Sequence, residues 1–404
     1  MSLESTNGTE LKIRLRRREE GRIQAGHSWI FSNEIAEVGG KFESGDLGEV
    51  FSSSGKFLGV GFYNPHSLIA VRILSRERLA TADSDFFYRR LSAALSYREK
   101  KYPGRAPFYR LCFGESDELP GLVVDRYDRV LVLQILSAGM EKRLPQITEA
   151  LLKLLNPSGI YLKNNHRSRA LEGLNLEEKI HYGEIPPLIQ VDDFGLKFST
   201  PISSAQKTGF YFDQSENRVF LRPHFPGKTV FDFYSYTGSF GINAAKFGAK
   251  SVLGFDSSGD AVSLANQNAS LNGVSSIARF EKKDAEEALV SLAEKGDASK
   301  PDMILLDPPS LVPSRKDLPK AERLYVRLNS LALRALPAGG LLAASTCSHH
   351  VGRELFISIL RQAAGKAKKS VRLLSLRTQA LDHPVLLAMP ETEYLHFALV
   401  EIVG

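Results

Sequence analysis

Two segments place reactive side chains at the ends of apolar runs. Met303-Ile304-Leu305-Leu306 leads into Asp307-Pro308-Pro309, and Gly340-Leu341-Leu342-Ala343-Ala344 leads into Ser345-Thr346-Cys347-Ser348-His349-His350. Two prolines stiffen the backbone and remove two donors, so Asp307 heads a rigid turn. A thiol among Ser, Thr and His lies in polar surroundings, where a lowered pKa makes it a nucleophile. If the two runs are neighbouring strands, about 4.8 Å apart, Asp307 and Cys347 face one cleft. A lone cysteine is more often a small buried core residue. Cys112, in Arg110-Leu111-Cys112-Phe113, reads that way, whereas Cys347 reads as a nucleophile.

A second group of residues fits a nucleoside. Val230-Phe231-Asp232-Phe233 runs into Tyr234-Ser235-Tyr236-Thr237-Gly238 and then a helical stretch from Ser239. Gly238 lets backbone approach a ligand, and the helix start offers free N–H groups. Asp256 lies eighteen residues past Gly238 at the end of the next apolar run, where an acid accepts from two ribose hydroxyls. The glycines do not follow G-x-G-x-x-G, which disfavours a dinucleotide and a nicotinamide oxidoreductase. A short turn without the pyrophosphate glycines suits S-adenosylmethionine. Asp284, in Lys283-Asp284-Ala285, is placed to accept the amine of adenine. Each of these acids can instead cap a helix. Three of them at successive strand ends favour the ligand.

These residues need a parallel sheet to hold them. From Lys228 onward, strand and helix patterns alternate five times: strands at 230–233, 251–256, 278–281, 303–307 and 340–345, and helices at 239–247, 259–272, 285–295, 320–335 and 353–367. Continuously apolar strands imply a sheet covered on both faces. Right-handed crossovers then give a doubly wound domain with ligands at the carboxyl ends of the strands. Upstream, residues 11–76 read as a small β-rich barrel or sandwich, with strands at 12–15, 46–51, 59–63 and 68–73. The segment His27-Ser28-Trp29-Ile30-Phe31 carries the only tryptophan. Residues 82–101 read as an amphipathic helix, 122–134 as a hairpin about Tyr127-Asp128, 139–155 as a helix and 159–162 as a strand. Pro186-Pro187 marks a boundary.

The composition is that of a globular protein, 43% hydrophobic and 24% charged over 404 residues. Two cysteines cannot build a disulfide framework or a four-cysteine zinc site, and no metal is expected. No apolar run reaches the roughly 18 residues of a membrane helix, and MSLESTNGTE lacks the apolar core of a secretion signal. A cytoplasmic protein with reduced thiols is expected. Lys and Arg total 52 against 46 acids. Phe86–Arg110 holds seven cations and one acid, Lys153–Arg169 four cations and no acid, and Leu355–Leu381 six cations and no acid. Each stretch can be a solvated surface, but together they point to a polyanionic partner.

The ordered set of motifs resembles the bacterial ribosomal RNA large-subunit cytosine-5 methyltransferase family. The matching pieces are Gly26-His27-Ser28-Trp29-Ile30-Phe31, Gly114-Glu115-Ser116-Asp117-Glu118-Leu119-Pro120-Gly121, Lys207-Thr208-Gly209-Phe210-Tyr211-Phe212-Asp213-Gln214, Ser235-Tyr236-Thr237-Gly238, Asp307-Pro308-Pro309, Thr346-Cys347-Ser348 and Asp382-His383-Pro384. The resemblance implies a multidomain α/β chain. It would have a small β-barrel PUA-like RNA-binding domain at 11–76, a central α+β domain at 82–187 and a doubly wound, Rossmann-like methyltransferase domain at 188–404. It implies Cys347 as nucleophile and Asp307 as its partner at the base. It also implies Phe233, Tyr234, Ser235, Thr237, Gly238, Asp256, Asp284, Asp307, Asp213 and Gln214 as cofactor contacts. The implied partner is large-subunit ribosomal RNA, with no membrane, and a homodimer is compatible with it. Pro309 stands where many cytosine-5 RNA methyltransferases carry a second cysteine, and Ser310 where a basic residue is common. Two alternatives remain: an exocyclic-amine methyltransferase of the N6-adenine type, and a non-catalytic RNA-binding ribosome assembly factor.

Overall fold

Alternation of apolar and polar residues builds the N-terminal sheet. The computed structural model describes residues 10–203, 208–294, 300–312 and 315–403. Lys207, Lys295 and most of the N-terminal MSLESTNGTE lie outside the described residues. The chain divides into two compact units. The first comprises residues up to Pro187 with Pro201–Phe210 and Leu381–Thr392; the second comprises Leu188–Thr200, Tyr211–Ala380 and Glu393–Gly404. Among the described residues, no helix is long and apolar enough to cross a membrane.

In the first unit, strands β1 (Lys12–Leu15), β2 (Trp29–Ile30), β3 (Ile35–Gly39), β4 (Asp46–Phe51), β5 (Phe57–Tyr63) and β6 (Val71–Ser75) form one sheet in the order β2-β6-β5-β4-β1-β3. The strand expected at 68–73 starts only at Val71, because Asn64 turns the chain, accepting from His66 N and donating its own N–H to Ala70 O. Ile13, Leu15, Val50, Leu58 and Ile73 bury one face. Helix α1 (Ser84–Lys101) leads to a second sheet of β7 (Phe108–Phe113), β8 (Leu122–Tyr127), β9 (Val130–Ile135), β10 (Gly159–Asn164) and β11 (Glu177–Gly183), ordered β11-β10-β9-β8-β7. The single helix expected over 139–155 is two, α2 (Ala138–Lys142) and α3 (Leu144–Leu155). Pro145 forces the break: it is tolerated in a first helical turn but not inside a helix. Trp29 Nε1 donates to Glu115 at 2.8 Å, and Arg72 bridges Glu115 and Glu172, so part-buried ion pairs tie the two sheets together.

Some cations of the basic stretches are drawn inward by this unit. Arg98 is fully buried against Asp117, Arg110 makes a two-pronged pair with Asp125 at 2.7 and 2.9 Å, and Arg90 pairs with Glu118. Of the second stretch, Lys163 is buried on Ile202 O and Arg169 on Glu141. Arg98, Arg110 and Lys163 satisfy acids and carbonyls of the unit and cannot also serve an external polyanion, whereas Arg89, Lys100, Lys101, Lys153 and Arg167 stay exposed.

The second unit opens with a hairpin, β12 (Leu188–Asp193) and β13 (Leu196–Pro201), and helix α4 (Ser215–Leu221). Five parallel strands follow: β14 (Thr229–Phe233), β15 (Ser251–Asp256), β16 (Ala278–Lys282), β17 (Met303–Leu306) and β18 (Leu341–Thr346). Helices α5 (Ser239–Lys246), α6 (Gly259–Leu271), α7 (Ala285–Ala293) and α8 (Leu318–Arg334) connect them, and α9 (Arg353–Ala367) follows β18. The sheet is not wholly parallel. Strands β19 (Val371–Arg377) and β20 (His396–Ile402) complete it in the order β16-β15-β14-β17-β18-β20-β19, with β20 antiparallel to both neighbours. β15 and β16 lie on one side of β14 and β17 and β18 on the other, so its carboxyl end is the switch point where a crevice opens. Arg372 pairs with Glu401, which in turn pairs with Leu341 at the start of β18. Lys366, Lys368 and Arg372 of the third basic stretch therefore sit at the sheet end opposite Asp307 and Cys347.

Candidate active site

The loop after β14 is held in an unusual backbone course. Tyr234, Tyr236 and Gly238 have φ of 62, 48 and 83°. Left-handed backbone is costly for non-glycine residues, so such a run needs external fixing. Ser235 N donates to Phe255 O at 3.0 Å, Gly238 N to Ser235 O at 2.8 Å, and Tyr236 N to Asp256 Oδ2 at 2.9 Å. Asp256 Oδ1 accepts from Ser258 N at 2.9 Å. Each oxygen of this carboxylate keeps a further lone pair for ligand hydroxyls. At Gly238 a Cβ would lie 2.9 Å from the Phe280 ring and 3.1 Å from Ala265 Cβ. Only glycine fits both the backbone and the space.

The expected cofactor residues take different positions around this loop. Ser235 is buried, and its Oγ has no hydrogen-bond partner among the described residues. Thr237 is buried, with its carbonyl accepting from Asn268. Phe233 turns its ring into the core, stacked on Phe255 at 5.2 Å. Tyr234 is half-buried, and burial pushes its phenol up to about 12, so it stays protonated at neutral pH. Asp284 is exposed and caps α7, accepting from Glu287 N at 3.0 Å. The cap occupies Oδ1 and so fixes the direction of the carboxylate. Asp213 is buried with Oδ2 accepting from Tyr394 OH at 2.7 Å. Gln214 donates to Asp307 Oδ1 at 3.1 Å and is itself oriented by Asn217, which Arg377 holds at 3.0 Å.

Asp307 and Cys347 come together as their strands require. Leu306 pairs with Ala344, so Asp307 lies level with Ser345 and two residues short of Cys347. Ser345 Oγ donates to the same Asp307 oxygen that Gln214 approaches. Cys347 is half-exposed between fully buried Thr346 and Ser348. Thr346 Oγ1 donates to Tyr325 OH at 2.9 Å, and Tyr325 OH lies 2.9 Å from Ser348 Oγ. The turn is pinned on both sides of the thiol. Burial pushes the Tyr325 phenol up, the two hydroxyl contacts pull it down, and the nearby Cys347 adds to the rise. Cys112, by contrast, is buried in the first unit's core with its thiol raised well above the usual range by burial.

Two residues that sequence reasoning passed over matter here. Tyr325 left no signal, being one buried position on an amphipathic helix. Asp232 did leave one: it is an acid inside an apolar strand. It is buried, with Oδ2 accepting from Gly241 N at 2.9 Å. Burial, opposed by that hydrogen bond and reinforced by Asp307 and Asp256, pushes its carboxyl up to about 8. The folded chain then holds a proton that the unfolded chain releases near pH 4. Stability from this group is complete below about pH 4 and is lost as pH rises toward about 8, by a few kcal/mol. Asp232→Asn removes the titration. The melting temperature of the variant relative to wild type should rise between pH 5 and 8, and a flat difference across that range would contradict the assignment.

Comparison with known proteins bears on what this crevice holds. Residues 13–76 match a PUA-like domain, and residues 139–374 match the S-adenosylmethionine-dependent methyltransferase family. The ribosomal RNA large subunit methyltransferase I of Aeromonas hydrophila is 41% identical over 374 residues, covering 91% of this chain and 94% of that protein. Its namesake in Erwinia tasmaniensis is 36% identical over 388 residues, covering 95% and 98%. The chain belongs to the family of these methyltransferases. Its fold is shared with an S-adenosylmethionine-dependent methyltransferase of Streptococcus mutans, at TM-score 0.82 and 20% identity over 96% of this chain and 99% of that one. A methyltransferase solved with S-adenosylhomocysteine superimposes at TM-score 0.83 and 19% identity, over 96% and 99%. S-Adenosylmethionine is the family's cofactor, and the residues present fit it. The buried Ser235 Oγ offers an unused polar atom, and Asp256 presents a fixed carboxylate.

Proposed function

We propose that this chain methylates carbon 5 of a cytosine in large-subunit ribosomal RNA, through a covalent adduct between Cys347 and carbon 6 of the base. The observation that carries the reading is the pairing of strand tips. A half-exposed thiol follows β18, and a carboxylate fixed by Gln214 and Ser345 follows the adjacent β17. The RNA substrate is supported by relatives named for large-subunit ribosomal RNA and by the PUA-like match at 13–76. On this reading 11–76 binds RNA, 82–187 supports it, and 188–404 performs catalysis. A cytoplasmic setting accords with that substrate.

S-Adenosylmethionine supplies an electrophilic methyl on a sulfonium sulfur. Asp256 would hold its ribose, with Ser235, Thr237 and the main chain at Gly238 lining its path, and Asp213, Tyr234 and Asp284 as further contacts. Carbon 5 of cytosine is a poor nucleophile. Addition of the Cys347 thiolate to carbon 6 makes an enamine and directs electron density to carbon 5. Asp307 would hydrogen-bond N3 and stabilise that adduct. Once carbon 5 is methylated, a base takes its proton and the carbon–sulfur bond breaks, returning the thiolate. The target base must leave any helical stack to reach the strand tips. Pro309 cannot supply the thiol that many related enzymes use at that point, so a different group takes the proton.

Mass spectrometry of nucleosides from large-subunit RNA, incubated with the chain and S-adenosylmethionine, tests the product. 5-Methylcytidine is expected. N6-methyladenosine would favour the exocyclic-amine reading, against which Ser310 and Leu311 already stand, since no aromatic ring follows Asp307-Pro308-Pro309 to stack on a base.

A further inference from the structure

We infer that Ser310 donates a hydrogen bond to the O2 carbonyl of the target cytosine, its hydroxyl hydrogen turned outward by a one-way chain of hydroxyls that runs through buried Tyr325. The inference rests on the cytosine reading above and names a further group that touches the base.

The sense of the chain follows from its first donor. A main-chain N–H can only donate, and each hydroxyl carries a single hydrogen. Ser348 N donates to Thr346 Oγ1 at 3.3 Å, and Thr346 Oγ1 donates to Tyr325 OH at 2.9 Å. The phenol hydrogen is then left with Ser348 Oγ, 2.9 Å away, as its acceptor. Ser348 Oγ in turn gives its hydrogen to Ser310 Oγ at 3.1 Å. Tyr325, Thr346 and Ser348 are fully buried, so water does not compete for these hydrogens. Each hydroxyl accepts from the one before it and gives to the next, and every step polarises the following donor.

Ser310 ends the chain. It is exposed, and Ser348 is its hydrogen-bond partner among the described residues. With its oxygen accepting from Ser348, its own hydrogen is offered outward. Two placements bring that hydrogen to the base. Ser310 follows Asp307 across Pro308-Pro309, whose fixed φ angles leave the turn little freedom. Ser348, which holds Ser310, adjoins Cys347. The hydroxyl is therefore tied to both strand tips that the mechanism uses, the carboxylate assigned to N3 and the thiol assigned to carbon 6.

Cytosine has acceptors at both N3 and O2. Addition of the thiolate to carbon 6 spreads negative charge over carbon 5, N3 and O2. A fixed donor at O2 therefore binds the adduct more strongly than the free base. No proton changes hands at this contact, since the hydroxyl keeps its hydrogen throughout. Ser310 would be a catalytic residue, and Tyr325 a positioning residue that acts through Ser348.

Single-turnover methylation of large-subunit RNA by the full-length chain, at saturating S-adenosylmethionine, tests the contact. Ser310→Ala should lower the rate about 10–100-fold, the loss of one hydrogen bond to a charged oxygen, and leave S-adenosylmethionine affinity unchanged. RNA carrying 2-thiocytidine at the position that wild type methylates offers a weak sulfur acceptor in place of O2. It should slow wild type about tenfold and should not slow Ser310→Ala further. Tyr325→Phe removes the phenol hydrogen, so Ser348 can accept from Ser310 and draw its hydrogen inward. This change should cost rate in the wild-type background and nothing more in Ser310→Ala. A phenol that only supports the Cys347 turn would cost the same in both backgrounds. A Ser310 that only forms its turn would leave 2-thiocytidine slowing both chains alike. Either result would overturn the inference, while 5-methylcytidine from unmodified RNA leaves the cytosine reading standing. Wild type that makes no 5-methylcytidine would overturn the two together.

Discussion

Cys347→Ala should lower the rate of methyl transfer by at least about 10³-fold, while cofactor and RNA affinities change less than twofold. Removing a nucleophile removes the covalent route and leaves only positioning. The fold should tolerate the change. Cys347 is half-exposed, and the hydrogen bonds that hold its turn belong to Thr346, Ser348 and Tyr325. Cys347→Ser should be nearly as inactive, because a hydroxyl ionises far less than a thiol at neutral pH. Asp307→Asn should slow the chemistry without weakening binding to the same degree. Steady-state and single-turnover rates at saturating cofactor separate these effects. A Cys347→Ala chain with normal turnover would leave the thiol as a structural residue.

Asp256→Ala should weaken S-adenosylmethionine binding about 100-fold, as read by calorimetry. Two losses combine. The ribose loses a charged acceptor, worth about 1.5–3 kcal/mol for such hydrogen bonds. The left-handed stretch from Tyr234 to Gly238 also loses the anchor at Tyr236 N. Asp284→Ala, by comparison, removes a helix cap from an exposed carboxylate, and its effect should be smaller. Unchanged affinity in Asp256→Ala, or binding of NAD in place of S-adenosylmethionine, would overturn the cofactor placement.

Much of the crevice was legible because its strands are continuously apolar and each ends at a polar residue of distinct type. Asp256, Asp284, Asp307 and Cys347 could be set at strand ends from that pattern. The adjacency of Asp307 and Cys347 was conditional on strand order, which local pattern does not contain; the β17–β18 register supplies it. Strand β19 was missed because Leu373 and Leu374 are both exposed and break the alternation. Long-range pairing explains why some cations of the basic stretches face inward. Arg98 and Arg110 meet their acids nineteen and fifteen residues away, a distance at which a run of cations in sequence still looks unpaired. Phe233 shows the reverse limit: a position beside the cofactor loop whose ring serves the core.

The covalent mechanism is tested most directly by trapping. RNA carrying 5-azacytidine at the target position has no carbon-5 proton for the elimination step, so the carbon–sulfur bond should persist. Wild-type chain incubated with this RNA and S-adenosylmethionine should give a denaturation-resistant protein–RNA species, with the RNA attached through Cys347 on peptide mass spectrometry. Cys347→Ala should give none. A wild-type chain that produces 5-methylcytidine yet forms no such species, or forms it through another residue, would contradict the account.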